Sequence, residues 1–466
     1  MSVSALEIAR RIRAGETSAA QELAETRALI EARDGALNCF TARTFERAER
    51  EAEEIDKRRA RGGSLPPLAG VPYAVKNLFD IEGIATLAGG KVNAAAAPAM
   101  ADAYLVSRMR EAGAVLVGAL NMDEHAYGFT CENTHYGATR NPHDLGRVSG
   151  GSSGGSAAAV GAGLVPVTLG SDTSGSIRVP ASFCGVFGLK PTYGRLSRSG
   201  CFPFVDSLDH VGPFARTAGD LAAAYDVLQG KDAHDHACAQ REVEVVGNIP
   251  ELHPGTRIGI LGGWFQDWAG ELARRALQLA AEALGATQWC ELQGAAAARA
   301  AAFVITGAEG GALHREKLQT RYEEFEPASR DRLVAGSLIP ATWVVSAQQA
   351  RRRVYLEALA LFSRFDLLLA PAAPDIAPEL GSETFTMNGR SVPTRATLGI
   401  LTQPISCIGL PACAAPLWPD DAGSGLPVGV QLIAAPWRED LCLAAAAQLE
   451  RAGVARARVA RASVGV

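Results

Sequence analysis

The stretch SGGSSGGSAAAVGAGLVPVTLGSDTSGSIRVPASFCGVFGLK, at residues 149–190, decides the fold and chemistry that we expect of this sequence. Within it, two clusters rich in Gly and Ser flank one apolar run. Glycine lets backbone amides approach a ligand closely, and serine supplies hydroxyl groups. If the clusters lie at the two ends of one helix–strand unit, they could meet in space. The pocket between them would hold hydroxyls and free N–H donors, the groups that acyl transfer needs.

Three other interpretations of this stretch stay open on the residues alone. A flexible linker predicts no regular structure, yet 156–169 is apolar and periodic. A phosphate loop would need GxxxxGK[ST], which is missing, and Asp172 beside the second cluster does not suit an anion. The letters GGSSG match a GxSxG nucleophile elbow. However, no strand-like run precedes them, and no histidine lies between His143 and His210.

Lys76 is the second chemical signal, because it lies in the apolar, strand-like run GVPYAVKNLFD. A lysine at a strand end often extends its amine to solvent, which is the alternative interpretation. Here, however, the 45 basic residues include only six lysines, so arginine is the usual cation of this chain. Arginine stays protonated in proteins, whereas a buried lysine can lose its proton. A buried Lys76 near serines would act as a general base without histidine.

Composition excludes several classes of protein. The 466 residues are 48% hydrophobic and 20% charged, as in soluble globular proteins, and the formal net charge of -5 argues against a nucleic-acid-binding protein. The N-terminus lacks a basic region followed by an apolar core, and the uncharged stretch 148–171 is too rich in Gly and Ser to span a membrane. Nine scattered cysteines without a CxxC pair predict reduced thiols in a cytoplasmic protein.

Hydrophobic periodicity predicts an α/β fold. Residues 1–65 are predicted to be helical, with capping spacings at Ser4/Glu7 and Ser18/Gln21. Short apolar runs then alternate with helical patterns, which favours a sheet with mostly parallel pairing. Further elements are predicted as strands at 71–76, 114–118, 165–170, 257–263, 366–374 and 425–436, helices at 99–112, 217–229, within 270–360 and at 439–452, and a surface connection at 230–255.

The motifs around Lys76, GGSSGGS and DTSGSIRVPASFCGVFGLKPT together resemble those of the amidase signature enzymes, and the similarity runs from about residue 5 to 452. The resemblance implies an α/β/α sandwich with a large mixed β-sheet. It also implies a single amidase domain over 1–466, in which a helical region of about 1–65 precedes a signature core of about 66–215. A boundary near 230–255 is the competing division.

The same resemblance implies a Ser–cis-Ser–Lys triad. Ser176 matches the acyl nucleophile, Ser152 matches the bridging serine after a cis peptide, and Lys76 matches the base. The oxyanion hole would consist of the backbone amides of Thr173, Ser174, Gly175 and Ser176. Many family members have DTGGS where this chain has DTSGS, so Ser174 keeps the N–H donor but adds a side chain that could narrow the pocket. Arg178 and Asp172 match positions with a structural role in the family.

Segments outside the shared motif resemble family members that act on small carboxylated ureides in cyanuric acid (s-triazine) breakdown; they are 66–83, 121–144, 260–265, 301–314 and 429–437. That resemblance implies release of ammonia from 1-carboxybiuret, leaving urea-1,3-dicarboxylate. It also implies a small partner protein, similar to the C subunit of aminoacyl-tRNA amidotransferases, in a heterotetramer. No metal or organic cofactor, nucleic acid or membrane is expected.

Substrate-binding residues are predicted by comparison with the glutamine-hydrolysing A subunit of those amidotransferases. Arg332 falls where that protein has an arginine for the glutamine carboxylate, and a bidentate Arg–carboxylate pair gives both energy and orientation. Gly399 falls where that protein has an acidic residue for the glutamine amino group. The absence of an acidic side chain at this position argues for a substrate without an ammonium group. Further wall residues are predicted to be Tyr127, Gly128 and Gln403, with Arg315, Arg321 and Arg330 as alternatives to Arg332.

Three alternative functions remain at this point. The chain could be a glutamine-hydrolysing A subunit that serves tRNA, or an allophanate hydrolase-like amidase, although no second C-terminal domain follows. It could also be a catalytically silent scaffold. The presence of Lys76, Ser152 and Ser176 together argues against the scaffold.

Overall fold

One mixed sheet of eleven strands organises the molecule, with helices packed against it, in a computed structural model that describes residues 3–247, 249–420 and 425–460. In these ranges the helices are α1 Ala5–Ala14, α2 Ala19–Leu37, α3 Phe45–Ala60, α4 Tyr104–Glu111, α5 Gly154–Gly161, α6 Arg178–Cys184, α7 Ala218–Leu228, α8 Trp264–Asp267, α9 Glu271–Leu284, α10 Ala295–Arg321, α11 Pro327–Gly336, α12 Ala341–Phe362, α13 Thr394–Thr397, α14 Gln403–Cys407 and α15 Glu439–Arg451. The predicted α/β class is confirmed.

The strands of the described ranges fall into the main sheet and three two-stranded ribbons. They are β1 Phe40–Arg43, β2 Pro72–Lys76, β3 Val115–Leu120, β4 Glu132–Asn133, β5 Gly137–Ala138, β6 Arg140–Asn141, β7 Asp144–Val148, β8 Val167–Asp172, β9 Phe187–Lys190, β10 His210–Ala215, β11 Ile258–Leu261, β12 Gln288–Cys290, β13 Leu367–Pro371, β14 Thr384–Met387, β15 Arg390–Pro393, β16 Ala412–Leu417 and β17 Val428–Ala434. The main sheet runs β1-β3-β2-β8-β10-β9-β16-β17-β13-β11-β12, and the ribbons are β4–β5, β6–β7 and β14–β15.

The prediction of mostly parallel pairing is wrong. Only four neighbouring pairs of the main sheet are parallel, namely β2–β3, β2–β8, β11–β12 and β11–β13, and the other six are antiparallel. Strands β16 and β17, for example, follow one another with no helix among the described residues between them, which is the connection that antiparallel neighbours use. The mixed sheet implied by the family resemblance is confirmed.

The N-terminal region shows why its helices begin where the capping residues predict. The Ser4 hydroxyl accepts the Glu7 N–H at 3.2 Å, and Ser18 and Gln21 form a reciprocal capping box at 3.1 and 3.0 Å. The helical prediction missed only β1, a four-residue strand that pairs antiparallel with β3. A segment this short carries too little periodicity to be distinguished from a loop.

The two Gly/Ser clusters do lie at the ends of one helix–strand unit. Helix α5 follows the first cluster, and strand β8 leads into the second. Every residue of α5 is buried, and an added Cβ at Gly155 would lie 2.6 Å from the Asn121 carbonyl oxygen. This ordered, close packing contradicts the flexible-linker interpretation. A strand, β7, does precede the first cluster, against expectation, but it belongs to the β6–β7 ribbon outside the main sheet.

The connection at 230–255 contains no helix or strand among its described residues, as predicted. Strands from both sides of it lie in the same main sheet, which supports our proposal that the chain is a single domain. In the part of the chain that the structure describes, no helix has both the length and the apolar character to cross a membrane.

Candidate active site

Lys76 ends strand β2, and its amine lies in the interior of the protein. Its side chain is fully buried, and Nζ lies 2.7 Å from Ser152 Oγ, 2.9 Å from Ser171 Oγ and 3.0 Å from Ser153 Oγ. An ammonium donates to all three hydroxyls. An uncharged amine has only two N–H groups, so one of the three hydroxyls must then donate to Nζ. This is the arrangement from which a serine proton can pass to the lysine.

Burial lowers the pKa of Lys76 to about 7, because desolvation disfavours the ammonium. The Asp123 carboxylate acts in the opposite direction and is the largest of the opposing charges. Near neutral pH a large share of the Lys76 amines is therefore uncharged, as a general base requires.

Ser152 contacts the base directly, through its hydroxyl. It is fully buried, and the peptide bond that joins it to Gly151 is cis. An added Cβ at Gly151 would lie 1.9 Å from Asp123 Oδ2, so no larger residue fits there. The Asp123 N–H donates to the Ser152 carbonyl at 3.2 Å and ties the strand β3 side of the site to this loop.

The loop between β8 and α6 presents Ser176 and a set of free amides. Across the described ranges, the Ser176 hydroxyl and the N–H groups of residues 173–176 make no hydrogen bond to the protein. Other atoms hold the loop in place: the Thr173 hydroxyl donates to Asp209 at 2.6 Å, and the Thr402 hydroxyl donates to the Ser174 carbonyl at 2.8 Å. The loop is therefore fixed while its N–H donors stay available to an oxyanion.

Gly175 is required in this loop on two grounds. Its φ is +142°, a conformation that residues with a side chain rarely adopt. An added Cβ would also lie only 2.0 Å from Thr402 Oγ1, the group that holds the Ser174 carbonyl. The glycine of DTSGS thus permits the close contact with Thr402.

A buried ion pair stands directly behind the loop. The Arg178 guanidinium donates to both Asp172 oxygens at 3.0 Å and to Gln431 Oε1 at 2.6 Å. Asp172 also accepts the Ile177 N–H at 3.2 Å. Burial alone would raise the pKa of Asp172, but the Arg178 charge and hydrogen bonds outweigh it and hold that pKa well below its usual range. The pair fixes the loop and does not line the cavity described below.

We expect Asp172→Asn to lower the free energy of unfolding by about 3–5 kcal/mol, because it leaves Arg178 charged and buried without its partner. Asp366→Asn is the matched control. It breaks a similar bidentate pair with Arg257, but those side chains are 35% and 51% exposed, so solvent screens the loss. Denaturant unfolding of both variants measures the difference. Equal shifts in the two variants would contradict the structural role given to Asp172.

The low pKa of Asp172 keeps its ion pair with Arg178 formed throughout the neutral range, and the stabilisation by this pair is lost only as the pH falls below the usual carboxyl range.

A cavity opens beside Ser176, and the four residues first predicted to bind the substrate line it. It encloses about 460 Å³ of empty space, part of it open to solvent. Its walls include Arg332, Tyr127, Gly128 and Gln403, together with Thr173, Ser174, Ser176, Arg395, Ala126, Phe129, Phe204, Ala302, Phe303 and Thr306. The side chain of Arg332 is positioned by Tyr127, since Cζ lies 3.6 Å from the centre of the ring and Nη1 lies 3.4 Å from the carbonyl oxygen.

The alternative arginines do not line this cavity. Arg321 pairs with Glu324, and Arg330 pairs with Glu323 at 2.9 Å, whereas Arg315 is exposed. Gly399 is backed by Phe129, since an added Cβ would lie 2.2 Å from its ring. The phenyl ring therefore fills the place where a carboxylate side chain would have to lie.

Sequence reasoning missed three groups at this site. Ser153 and Ser171 contact the Lys76 amine, and Arg395 lines the cavity. Ser171 could be placed only by knowing that β8 lies beside β2 in parallel register. Arg395 lies in SVPTRATLG, a segment that carries no motif.

Comparison with known proteins places this geometry among amide-cleaving enzymes. The Amidase family matches residues 23–443. The AtzE component of 1-carboxybiuret hydrolase from Pseudomonas sp. (strain ADP) is 56% identical over 97% of this chain and 99% of its own length. The A subunit of the glutamyl-tRNA(Gln) amidotransferase of Moorella thermoacetica is 37% identical over 91% of both chains. A solved structure, described as an unexpected vestigial protein complex that reveals the evolutionary origins of an s-triazine catabolic enzyme, has a TM-score of 0.96 and 55% identity, covering 98% of this chain and 100% of that one.

Proposed function

The chain belongs to the amidase family, and from this we propose that it hydrolyses 1-carboxybiuret, releasing ammonia and leaving urea-1,3-dicarboxylate. It is a hydrolase of amide C–N bonds. The single observation that carries the catalytic part of the proposal is the buried Lys76 amine at 2.7 Å from Ser152 Oγ, because it supplies a base without histidine.

The reaction begins with a proton relay. Uncharged Lys76 takes a proton from Ser152, which takes the proton of Ser176, and Ser176 Oγ attacks the terminal carboxamide carbon. The free amides of residues 173–176 bind the negative charge that develops on the carbonyl oxygen, and one such donor contributes about 2.7–4 kcal/mol to lowering a barrier. The proton on Lys76 returns through Ser152 to the leaving nitrogen, the C–N bond breaks, and ammonia departs.

Hydrolysis of the acyl-enzyme uses the same groups in reverse. A water molecule gives a proton to the relay and attacks the acyl carbon. The bond to Ser176 Oγ then breaks, Ser176 regains its proton, and a carboxylate is released. The acid formed ionises and the ammonia takes up that proton, so the net reaction consumes one water and yields one ammonium ion and one carboxylate.

The proposed substrate class follows from the charges around the cavity. Its charged lining residues are both arginines, Arg332 and Arg395, which suit a substrate carboxylate. Phe129 lies against Gly399 where glutamine recognition would need an acid for the ammonium. The similarity to AtzE exceeds that to the glutamine-hydrolysing amidotransferase protein, which agrees with a ureide rather than glutamine.

We also propose a small protein partner that resembles the amidotransferase C subunit, forming a heterotetramer with this chain in the cytoplasm. The solved structure of 55% identity is described as a protein complex, which supports this proposal. Three large apolar side chains on α12 and the turn before it, Leu338, Trp343 and Val345, are 76%, 61% and 57% exposed, as is typical of a surface that binds another protein.

Ammonia release from 1-carboxybiuret, biuret, allophanate and glutamine, without tRNA, tests the substrate. We expect turnover of 1-carboxybiuret with a kcat/KM at least tenfold above the other three, and a small copurifying protein. Turnover that depends strictly on glutamine and charged tRNA would instead assign the chain to an amidotransferase. A preference for allophanate would make it an allophanate hydrolase.

Replacing Arg332 with Gln is expected to raise KM for 1-carboxybiuret about 10- to 100-fold with a smaller change in kcat, since a charge-assisted hydrogen bond to the carboxylate is lost in ground and transition state alike. Arg330→Gln is the matched control, because it removes the same charge from the same helix outside the cavity. Steady-state kinetics decide between the outcomes. An unchanged KM in Arg332→Gln would remove Arg332 from the binding site.

A further inference from the structure

The cavity beside Ser176 has two charged side chains in its wall, and both are guanidinium groups. All fourteen lining residues are described, and none of them is acidic. Arg332 is positioned by Tyr127, with its guanidinium stacked on the ring. Arg395 differs, because it makes no hydrogen bond or ion pair with any residue in 3–247, 249–420 or 425–460. Its guanidinium donors are thus unused by the described protein.

The backbone that carries Arg395 is fixed. Helix α13 follows the β14–β15 ribbon, and the Thr394 N–H donates to the Glu383 carbonyl at 2.9 Å. On the other side, Arg299 Nη2 donates to the Ala396 carbonyl at 3.1 Å, and Arg299 Nε donates to Gln403 Oε1 at 3.1 Å. Hydrogen bonds to the residues on both sides of Arg395 therefore fix its backbone at the cavity.

Two acids stand near Arg395 without pairing with it. Burial raises the pKa of Asp123 and raises that of Glu326 to about 7, and in both cases the Arg395 charge acts in the opposite direction. Each keeps a buried oxygen without a hydrogen-bond partner, Asp123 Oδ2 and Glu326 Oε1. Since neither forms an ion pair with Arg395 within 4.0 Å, the guanidinium is free to bind an anion in the cavity.

We propose that Arg395 is a specificity-determining residue that binds the substrate carboxylate together with Arg332. This inference rests on the proposed hydrolysis of a carboxylated ureide, which it deepens. An anionic ureide engages both guanidinium groups through its carboxylate, whereas an uncharged one such as biuret has no carboxylate and forms only weaker, neutral hydrogen bonds. Arg395 thus discriminates between substrates and takes no part in the proton relay.

Binding of glutarate to the purified protein tests this directly, by calorimetric titration. Glutarate is not an amide, and its two carboxylates are separated by three atoms, as in urea-1,3-dicarboxylate. We expect wild type to bind glutarate at least tenfold more tightly than uncharged glutaramide, and Arg395→Gln to weaken glutarate binding about 10- to 100-fold. Arg390→Gln removes an exposed charge from the preceding ribbon and should leave glutarate binding within twofold. Wild-type affinity for glutarate in Arg395→Gln, or no glutarate preference in wild type, overturns the proposal.

Kinetics separate a failure of this inference from a failure of the proposed function. In Arg395→Gln we expect the ratio of kcat/KM for 1-carboxybiuret to that for biuret to fall at least tenfold. If wild type turns over 1-carboxybiuret and the ratio does not change, this inference alone is wrong. If wild type does not turn over 1-carboxybiuret, the proposed function is wrong, and the glutarate titration still decides on Arg395. Arg395→Lys, which keeps the charge, should recover part of the glutarate affinity, and equal thermal midpoints of all variants verify folding.

Discussion

Replacement of Ser176 by Ala is expected to lower kcat for ammonia release by at least about 10⁴-fold, because it removes the hydroxyl that we assign as the acyl nucleophile. The fold should be unaffected, since the Ser176 hydroxyl makes no hydrogen bond to the described protein and the change leaves no buried group unpaired. Ammonia release measures the rate, and mass spectrometry of the protein during turnover should detect an acyl adduct in wild type only.

Ser174→Ala is the matched control for this result. It removes a hydroxyl two residues away in the same loop but keeps the backbone N–H that we assign to the oxyanion hole, so the rate should stay within tenfold of wild type. A Ser176→Ala variant that hydrolyses its substrate at the wild-type rate would show that another residue is the nucleophile.

Lys76→Met is expected to lower kcat/KM by at least about 10³-fold, because the substitution removes the base and leaves the serine relay without an acceptor. In wild type, kcat/KM should rise with pH and level off above about 7, since only the uncharged amine takes a proton and burial lowers the Lys76 pKa to about 7. Lys76→Arg should be as inactive as Lys76→Met, because arginine remains protonated at every pH in the assay.

Lys190 provides the control for that pH dependence. Burial lowers its pKa to about 7 as well, but its amine donates to the carbonyls of Pro191 and Leu410 and to no serine in the described ranges. Lys190→Met should therefore retain the rise of kcat/KM with pH, even if the protein becomes less stable. If Lys190→Met loses the rise of kcat/KM with pH, and a residually active Lys76 variant keeps it, then the group that titrates is Lys190 and our assignment to Lys76 is wrong.

The sequence predicted the parts of the site that local chemistry specifies. A lysine in an apolar run of an arginine-rich chain indicated that Lys76 is a buried base. The spacing of the Gly/Ser clusters around an apolar run predicted the helix–strand unit of α5 and β8. The capping residues Ser4 and Ser18 predicted where two helices begin, because a cap is a contact over three residues.

The parts that escaped prediction depend on contacts between distant segments. Ser171 contacts Lys76 because β2 and β8 are neighbours, and 95 positions separate the two residues. Arg395 and Ser176 line the same cavity although they lie far apart in the sequence. The prediction of mostly parallel strands was wrong for the same reason, since an alternation of helices and strands does not reveal in which direction each strand runs in the sheet.

The pairing of β2 with β8 separates the residues that carry out catalysis from the residues that line the cavity, and this separation affects how the protein can evolve. The base ends one of these strands and the oxyanion loop follows the other, so two neighbouring strands of the main sheet hold both. The cavity-lining side chains Arg332, Arg395 and Gln403 come instead from the helices α11, α13 and α14. New substrate preferences can therefore arise by changes in these helices, in nature or by grafting them between homologues, while the catalytic residues stay the same.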